Sequence, residues 1–173
     1  QHFEISHCFV HTRYTGVTVM FSRSLSVSSV DVLFQIPGRA LALKFRKETK
    51  NILFLALYAP SDPEKRPNFY SELLLMIREI DFAFDVVLMG GDFNMVENPE
   101  RDRQRPVGRR GAPEFGIPEF RALIEHLAIT DVDFHNYSQK FSFYSHAQNV
   151  FSRIDRIYCS ANLLCNIVHI KYI

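Results

Sequence analysis

Short apolar blocks alternate with polar segments along this chain, and their lengths predict an α/β fold. Runs of strand length fall near residues 17–21, 39–46, 51–57, 140–145, 152–158 and 167–172. Another apolar run, at residues 86–89, ends in Gly90-Gly91, which is typical of an interior strand that meets unusual torsions or a close backbone approach at its end. Helices are predicted between some of these strands.

Two segments have apolar residues at helical spacing. The first follows Ser61-Asp62-Pro63-Glu64, a typical helix start with a cap residue, a proline and an early acid. The second opens near Pro118-Glu119. Both apolar stripes are interpreted as core that covers one face of a sheet. Their members are Phe69, Leu73, Met76, Ile77 and Ile80 in the first helix, and Phe120, Leu123, Ile124 and Leu127 in the second.

Polar residues with catalytic potential stand at or near strand ends. Asp92 and Asn94 follow Gly90-Gly91 and, in an extended backbone, point to the same side. Tyr58 ends the strand before Ala59-Pro60, and Asp155 interrupts an alternating strand, where aspartate is disfavoured. The carboxylate and carboxamide could hold a water against a phosphorus atom. They could equally cap backbone groups in an Asx-rich turn.

These motifs, in this order, resemble the exonuclease-endonuclease-phosphatase superfamily. The likeness is greatest to the apurinic-endonuclease-like domain of LINE-type retrotransposons, and it runs from about Gly16 to the last residue. Tyr-Ala-Pro at 58–60, Gly-Asp-Phe-Asn at 91–94 and Ser-Arg-Ile-Asp-Arg-Ile-Tyr at 152–158 carry it, and 16–22 resembles the family's hairpin strand. The resemblance implies an α/β four-layer sandwich of two mixed sheets flanked by helices.

The resemblance also implies roles for individual residues. Tyr58 would donate a hydrogen bond to a phosphate oxygen, and Asp92 would orient or deprotonate the attacking water. Asn94 would stabilise the phosphorane-like transition state, and Asp155 would support the family's catalytic histidine. Ser142 stands where retrotransposon domains usually have a threonine that contacts the DNA strand.

Two family motifs have no counterpart here. The metal-binding glutamate with its Gln-Glu-Thr surroundings is not matched by Glu4, the only acid among the fifteen residues before Gly16, and no Asp-His pair occurs. We therefore expect residues 1–173 to be one partial domain, truncated at both ends. Asp92 and Asn94 remain as candidate metal ligands, for Mg²⁺ or Mn²⁺, because Mg²⁺ binds through one or two carboxylates plus phosphate oxygens.

A basic segment follows Asn94. It contains Arg101, Arg103, Arg105, Arg109 and Arg110. Because it leaves the same strand end as Asp92, we expect it to contact a phosphate backbone. The alternative is a solvated loop in which these arginines pair with Glu97, Glu100 and Asp102.

Composition adds mainly exclusions. The formal net charge is +1, so no bulk attraction to nucleic acid is expected, and 47% hydrophobic residues suffice for a single core. The three cysteines, Cys8, Cys159 and Cys165, lack zinc or disulfide spacing and indicate a reducing compartment. No membrane-spanning run or signal peptide is apparent. We expect an intracellular protein that is nuclear when it acts on DNA.

The expected function is Mg²⁺-dependent hydrolysis of a DNA phosphodiester. The resemblance implies nicking of target DNA, so that a reverse transcriptase domain in the full-length polyprotein can prime from the free 3′ hydroxyl. One alternative is a phosphatase of the same superfamily that acts on inositol phosphates or sphingomyelin. Another is a catalytically inactive, element-derived remnant that still binds nucleic acid.

Overall fold

The computed structural model describes residues 3–9, 16–106, 113–133 and 141–164, with only the backbone for 3–9 and for Arg23. Its strands are β1 (Phe3–Phe9), β2 (Gly16–Ser22), β3 (Ser28–Ile36), β4 (Ala40–Lys47), β5 (Lys50–Tyr58), β6 (Val86–Asp92), β7 (Arg103–Gln104), β8 (Ile129–Asp131), β9 (Phe143–Ser145), β10 (Val150–Ser152) and β11 (Asp155–Ser160). Its helices are α1 (Arg66–Arg78), α2 (Pro99–Asp102), α3 (Ile117–Leu127) and α4 (Ala161–Leu164). None of these described helices is long and apolar enough to cross a membrane.

Six strands form the main sheet, in the order β3-β4-β5-β6-β11-β8. Strands β5 and β6 are parallel, whereas their other neighbours pair antiparallel. A parallel pair needs a crossover connection, and α1 supplies it between β5 and β6. The predicted interior position of β6 is confirmed, because this strand lies between β5 and β11.

The two faces of the main sheet are covered differently. Leu53, Leu55 and Leu57 of β5 point to the face covered by α1 and α3. Alternate residues of the same strand, such as Ile52 and Ala56, point to the opposite face and pack with the apolar residues of β2. We call these the helix face and the β2 face.

The predicted helices form with nearly the predicted stripes. Phe69, Leu73 and Ile77 of α1 are buried, as are Phe120 and Leu123 of α3, and both helices pack on the helix face. Helix α1 ends at Arg78, so the prediction that its stripe includes Ile80 was wrong. The remaining described strands form two smaller antiparallel sheets, β1-β2 and β7-β10-β9. The predicted α/β fold is confirmed, with a large mixed sheet, further smaller sheets and helices on the outside.

Other elements differ from the prediction. Strand β3 was not predicted, because much of it is exposed and polar and its pairing with β4 contains register shifts. The predicted strand at 152–158 is two strands, β10 and β11, separated by Arg153 and Ile154. The chain breaks there because the Arg153 side chain is buried against two carboxylates described below. The predicted strand near 167–172 lies outside the described residues.

Candidate active site

Three of the predicted site residues form one row across the main sheet. Tyr58 is the parallel partner of Asp92, and Asp155 is its antiparallel partner on the other side. Directly paired residues of neighbouring strands share a face of the sheet. Asp92 follows Val86 and Leu88 in alternation, which places the row on the β2 face at the end of β6.

Gly91 brings β5 and β6 close together at this point. Its φ is +141°, and a Cβ built on it would lie 1.9 Å from the carbonyl oxygen of Leu57. Only glycine accepts this combination of torsion and contact. The pairing of β5 with β6 continues one residue beyond the end of β5, because the Ala59 N–H donates to the carbonyl oxygen of Asp92 over 2.8 Å. The Gly-Gly signal was therefore correctly interpreted as a close backbone approach.

Phe93 anchors the loop that follows Asp92. Its side chain is fully buried on the helix face, with ring centroids 5.3 Å from Phe120 and 5.4 Å from Tyr158. The Phe93 carbonyl accepts a hydrogen bond of 3.0 Å from the hydroxyl of Tyr70. Burial raises the pKa of Tyr70, so its hydroxyl keeps the proton that it donates. The loop after Asp92 is thus held by both flanking helices, α1 and α3.

Asn94 departs from the extended geometry that was predicted. Its φ is +50°, a left-handed conformation that asparagine accepts more readily than most residues. The Asn94 N–H donates to Asp92 Oδ1 over 2.8 Å, and its Nδ2 donates to the Ala59 carbonyl over 2.8 Å. The capping contacts of the alternative interpretation are therefore present. Within the described residues they leave Asp92 Oδ2 and one Asn94 amide hydrogen without a partner.

The environment of Asp92 disfavours its charged form. Burial is the largest cause and raises the pKa of its carboxyl, and the neighbouring charge of Asp155 raises it further. The hydrogen bond from the Asn94 N–H and the charge of Arg66 lower it, but by less. A carboxylate with a raised pKa is a better proton acceptor when ionised, so Asp92 is suited to act as a general base.

A cleft of about 640 Å³ opens beside Asp92 and Asn94, and three arginines line it: Arg66, Arg103 and Arg105. Tyr58 lies outside this cleft and lines a neighbouring apolar groove under β2. The row of three therefore runs along the boundary between a basic depression and an apolar one. An anion bound at Asp92 would meet cationic side chains from the cleft.

Arg66 was not predicted from the sequence. It opens α1, just after the Tyr58 strand, and is buried. Its Nε donates to the Pro60 carbonyl and its Nη2 to the Ser61 carbonyl, both over 3.0 Å, and Nη1 lies 3.3 Å from Glu114. Burial lowers the pKa of Arg66 from its usual value, and the Glu114 charge opposes that change. The only signal for it was an arginine in the turn after Tyr-Ala-Pro.

The structure separates the members of the predicted arginine segment. Arg101 lies 2.9 Å from Asp102 and 3.4 Å from Asp131, so it takes part in the ion pairing that the alternative interpretation proposed for it. Arg103 pairs with Glu114 at the cleft. Arg105 lines the cleft and has no ion pair in the described part of the chain. Positions 109 and 110 lie outside the described residues, and DNA contact remains a prediction for all five arginines.

Ser142 contacts the backbone beside the row. Its Oγ accepts hydrogen bonds from the N–H groups of Ile154, over 3.1 Å, and Asp155, over 3.0 Å. The hydroxyl thereby holds the first residue of β11, and its own hydrogen stays free to donate. The suggested contact with a DNA strand remains a prediction.

A buried ion network fixes α2 against the end of β11. The Arg153 guanidinium lies 2.9 Å from Asp102 and also pairs with Asp131. Arg156, fully buried, lies 3.4 Å from Asp102. Burial alone would raise the pKa of Asp102, but the hydrogen bond from Arg101 and the charges of Arg156 and Arg153 outweigh it and hold that pKa below its usual value. The first part of the segment after Asn94 is therefore tied to the strand that carries Asp155.

The donor set fits an open magnesium site. Asp92 and Asp155 are paired carboxylates, the charge of Asp155 adds to the burial that raises the pKa of Asp92, and the Asn94 amide oxygen is a further candidate ligand. A bound cation would offset the repulsion between the two carboxylates. No group of three or more histidine, cysteine or acidic residues suited to a metal ion occurs in the described residues. Mg²⁺ does not require such a cage when a substrate phosphate completes its coordination.

The chain belongs to the endonuclease/exonuclease/phosphatase family, whose model matches residues 2–168. Members of this family are hydrolytic nucleases and phosphatases. The predicted superfamily is thereby confirmed.

A relative from a mobile element supports the narrower resemblance. The chain is 31% identical over 162 residues to the transposon TX1 uncharacterized 149 kDa protein of Xenopus laevis. That alignment covers 90% of this chain but only 12% of the TX1 protein. The retrotransposon link expected from the sequence is confirmed at the level of this similarity.

Solved structures of low sequence identity share the fold. A 3′-5′ exonuclease of Neisseria meningitidis matches with a TM-score of 0.69 at 16% identity, over 94% of this chain and 69% of that one. The AP endonuclease LMAP of Leishmania major gives 0.67 at 15%, over 94% and 63%. The endonuclease domain of TRAS1, a telomere-specific non-LTR retrotransposon, gives 0.60 at 13%, over 94% and 69%.

Proposed function

We propose that this chain is the catalytic part of a DNA endonuclease that hydrolyses a phosphodiester with Mg²⁺ or Mn²⁺. The observation that carries the proposal is the register of Tyr58, Asp92 and Asp155 in one row beside a cleft lined by arginines. A hydrolase of phosphate esters needs a base for water and cations for the phosphate charge. The row and the cleft supply these on adjoining surfaces.

In the proposed reaction Asp92 accepts a proton from the attacking water. The water oxygen forms a bond to phosphorus while the bond from phosphorus to the 3′ oxygen breaks, and that oxygen takes up a proton from solvent water to leave a 3′ hydroxyl. The second amide hydrogen of Asn94 and the phenol of Tyr58 would donate to phosphate oxygens as charge develops. Burial keeps the pKa of Asp92 raised, and the charge of Asp155 adds to that effect.

Asp92, Asp155 and the Asn94 amide oxygen would hold the divalent cation together with the substrate phosphate. When bound, Mg²⁺ supplies Lewis-acid stabilisation of the phosphate charge. The residues themselves order the site without it, since backbone contacts fix both Asn94 and Asp92.

A polymeric substrate suits the cleft better than a small phosphate ester. Besides its arginines the cleft is lined by Phe143, which is 48% exposed, on the β9-β10 hairpin. On the same hairpin Phe151 is 42% exposed and lies against Tyr144, with ring centroids 4.5 Å apart. Exposed aromatic rings next to cations are the groups that stack on bases and follow a nucleic-acid backbone.

The decisive test compares Asp92→Asn with the unaltered chain. We expect relaxation of supercoiled plasmid in Mg²⁺ to slow by about 10²-fold or more, because a general base contributes 10²–10⁴-fold. Binding of a duplex oligonucleotide, measured by fluorescence anisotropy without divalent cations, should stay nearly unchanged. Asp81→Asn is the control, since Asp81 is exposed and lies after α1. If Asp92→Asn loses affinity together with activity, Asp92 has a structural role. If the unaltered chain is itself inactive, the alternative of a catalytically inactive, element-derived remnant is favoured.

The salt dependence of binding separates DNA from a small phosphate ester as the substrate. Arg105→Ala should lower the slope of log affinity against log salt by about 0.9, the value for one lost phosphate contact. Arg101→Ala should leave the slope unchanged, because Arg101 is already paired with Asp102 and Asp131. Equal salt slopes for the unaltered chain, Arg105→Ala and Arg101→Ala would favour the phosphatase alternative.

We further propose that the chain works within a longer polyprotein, beside a reverse transcriptase domain and in the nucleus. The similarity to a transposon protein of which it spans 12% supports this context. Nicked DNA with a free 3′ hydroxyl is what a reverse transcriptase needs as a primer. Localisation of a tagged full-length protein and target-primed synthesis with it would test this context.

A further inference from the structure

Arg39 extends the catalytic row by one strand. The Tyr58 N–H donates to the Arg39 carbonyl over 2.7 Å, and Ala40, the first residue of β4, pairs with Leu57. Arg39 is therefore the neighbour of Tyr58 on the side away from Asp92. Leu41, two residues further along β4, lies in the core of the β2 face. By alternation Arg39 belongs to the same face as Tyr58.

The Arg39 guanidinium contacts Tyr58 and the loop beyond it. Its Cζ lies 4.9 Å from the centroid of the Tyr58 ring. Its Nη1 points to the carbonyl oxygens of Tyr58, at 3.5 Å, and Ala59, at 3.4 Å. The Ala59 carbonyl is also the acceptor for Asn94 Nδ2. One peptide group thus links Arg39 to a residue of the proposed catalytic set.

Arg39 differs in its charge balance from most arginines around the site. Arg66 and Arg103 share Glu114, and Arg101 is paired with Asp102 and Asp131. For Arg39 the described part of the chain contains no carboxylate within ion-pair distance, and its Nε and Nη2 have no hydrogen-bond acceptor. The side chain is only partly buried. Its charge and its remaining donors are available to an anion.

We propose that Arg39 is a phosphate-binding residue of this site. This proposal rests on the proposed function. Arg39 donates from Nε and Nη2 to a phosphodiester oxygen on the Tyr58 side of the row, and its contact with the Tyr58 ring holds that side chain in place. A guanidinium offers two parallel N–H donors that match two phosphate oxygens. Arg66 and Arg103 then face the phosphate from the cleft side.

The substitution test uses Arg39→Met with Arg46→Met as the matched control. Arg46 is exposed on the same strand, and its Nε bonds only the Glu48 carbonyl. In anisotropy titrations of a duplex oligonucleotide, Arg39→Met should weaken binding and lower the salt slope by about 0.9, whereas the control should do neither. Arg39→Lys should recover part of the slope, because it keeps the charge but loses the paired donors.

A second measurement requires no activity and no stable Met variant. In the unaltered chain, the Nε–H signal of Arg39 in an NMR spectrum, assigned by its absence from Arg39→Lys, should shift on titration with dimethyl phosphate. The Arg46 signal should not shift. A stationary Arg39 signal, or unchanged affinity and slope in Arg39→Met, would overturn the proposal. Failure of the proposed function would give a different result, because the unaltered chain would then neither bind nor nick DNA. The shift of the Arg39 signal with dimethyl phosphate would still decide whether Arg39 binds phosphate.

Discussion

Substitution of Gly91 by alanine should destabilise the protein far more than substitution of its neighbour Gly90. A residue with a side chain at the Gly91 torsion, φ +141°, carries a strain of about 1–3 kcal/mol. The new Cβ would also lie 1.9 Å from the Leu57 carbonyl oxygen, so β5 and β6 must separate locally. Each ladder hydrogen bond lost there costs about 1 kcal/mol. Together these terms predict a loss of about 3–5 kcal/mol.

Gly90→Ala is the matched control within the same strand. The nearest atoms to a Cβ on Gly90 are the Ile157 side chain at 3.5 Å and the Arg156 carbonyl oxygen at 3.6 Å, which are ordinary contacts. Because alanine restricts the unfolded chain, this change should be neutral or stabilise by up to about 1 kcal/mol.

Urea unfolding followed by circular dichroism would measure both free energies. In thermal melts, a chain of this size loses about 2–4 °C per kcal/mol, so Gly91→Ala should lower the melting temperature by roughly 10 °C. Gly91→Ala should also disturb the candidate site, since Gly91 pairs with Leu57 next to the pair of Tyr58 and Asp92. If the two alanine variants unfold at the same urea concentration, the close approach of β5 and β6 does not constrain this position and the reasoning is refuted.

Three further predictions concern charge and positioning. Asp92→Asn should stabilise the metal-free protein at neutral pH, because the raised pKa of Asp92 means that its ionisation costs folding stability. The gain should shrink as the pH falls through that pKa. A gain that stays constant across pH in urea titrations would contradict this origin. Arg153→Met should cost about 3–5 kcal/mol of unfolding free energy, because it removes the buried guanidinium that pairs with both Asp102 and Asp131. A loss under about 1 kcal/mol would show that the network contributes little. Ser142→Ala should reduce the nicking rate about tenfold by releasing the Asp155 N–H, whereas Ser142→Thr keeps the hydroxyl and should retain the rate; equal rates for the two variants would argue against a positioning role.

The row of candidate site residues was predictable because its signals are local. Tyr58 and Asp92 end apolar runs, and Asp155 stands inside an alternating one, so each was identified from its own segment. The pairing of these segments was not predicted, because it depends on contacts between strands far apart in sequence. The left-handed torsion of Asn94 was not predicted, since it depends on the Ala59 carbonyl presented by another strand.

Residues whose role depends on packing between distant segments were beyond prediction. Arg66 lies at the cleft because α1 begins at this residue and because Glu114 approaches it from a later loop. Arg101 was grouped with the other arginines of the basic segment, but it pairs with Asp131, which lies on β8, far along the chain. Strand β3 escaped detection because it is an edge strand whose exposed residues and register shifts hide the alternation.

The register of the row also determines how the protein loses its site. Tyr58, Asp92 and Asp155 come from strands far apart in sequence that meet only in the centre of the main sheet. Contacts of such long range form together with the global fold, and central strands open only when the whole domain unfolds. Partial unfolding at the chain ends should therefore leave the row intact. In hydrogen-exchange experiments, the Phe93 amide, bonded to the Ile154 carbonyl over 2.9 Å, should exchange only through complete unfolding, so its protection should equal the global free energy of unfolding.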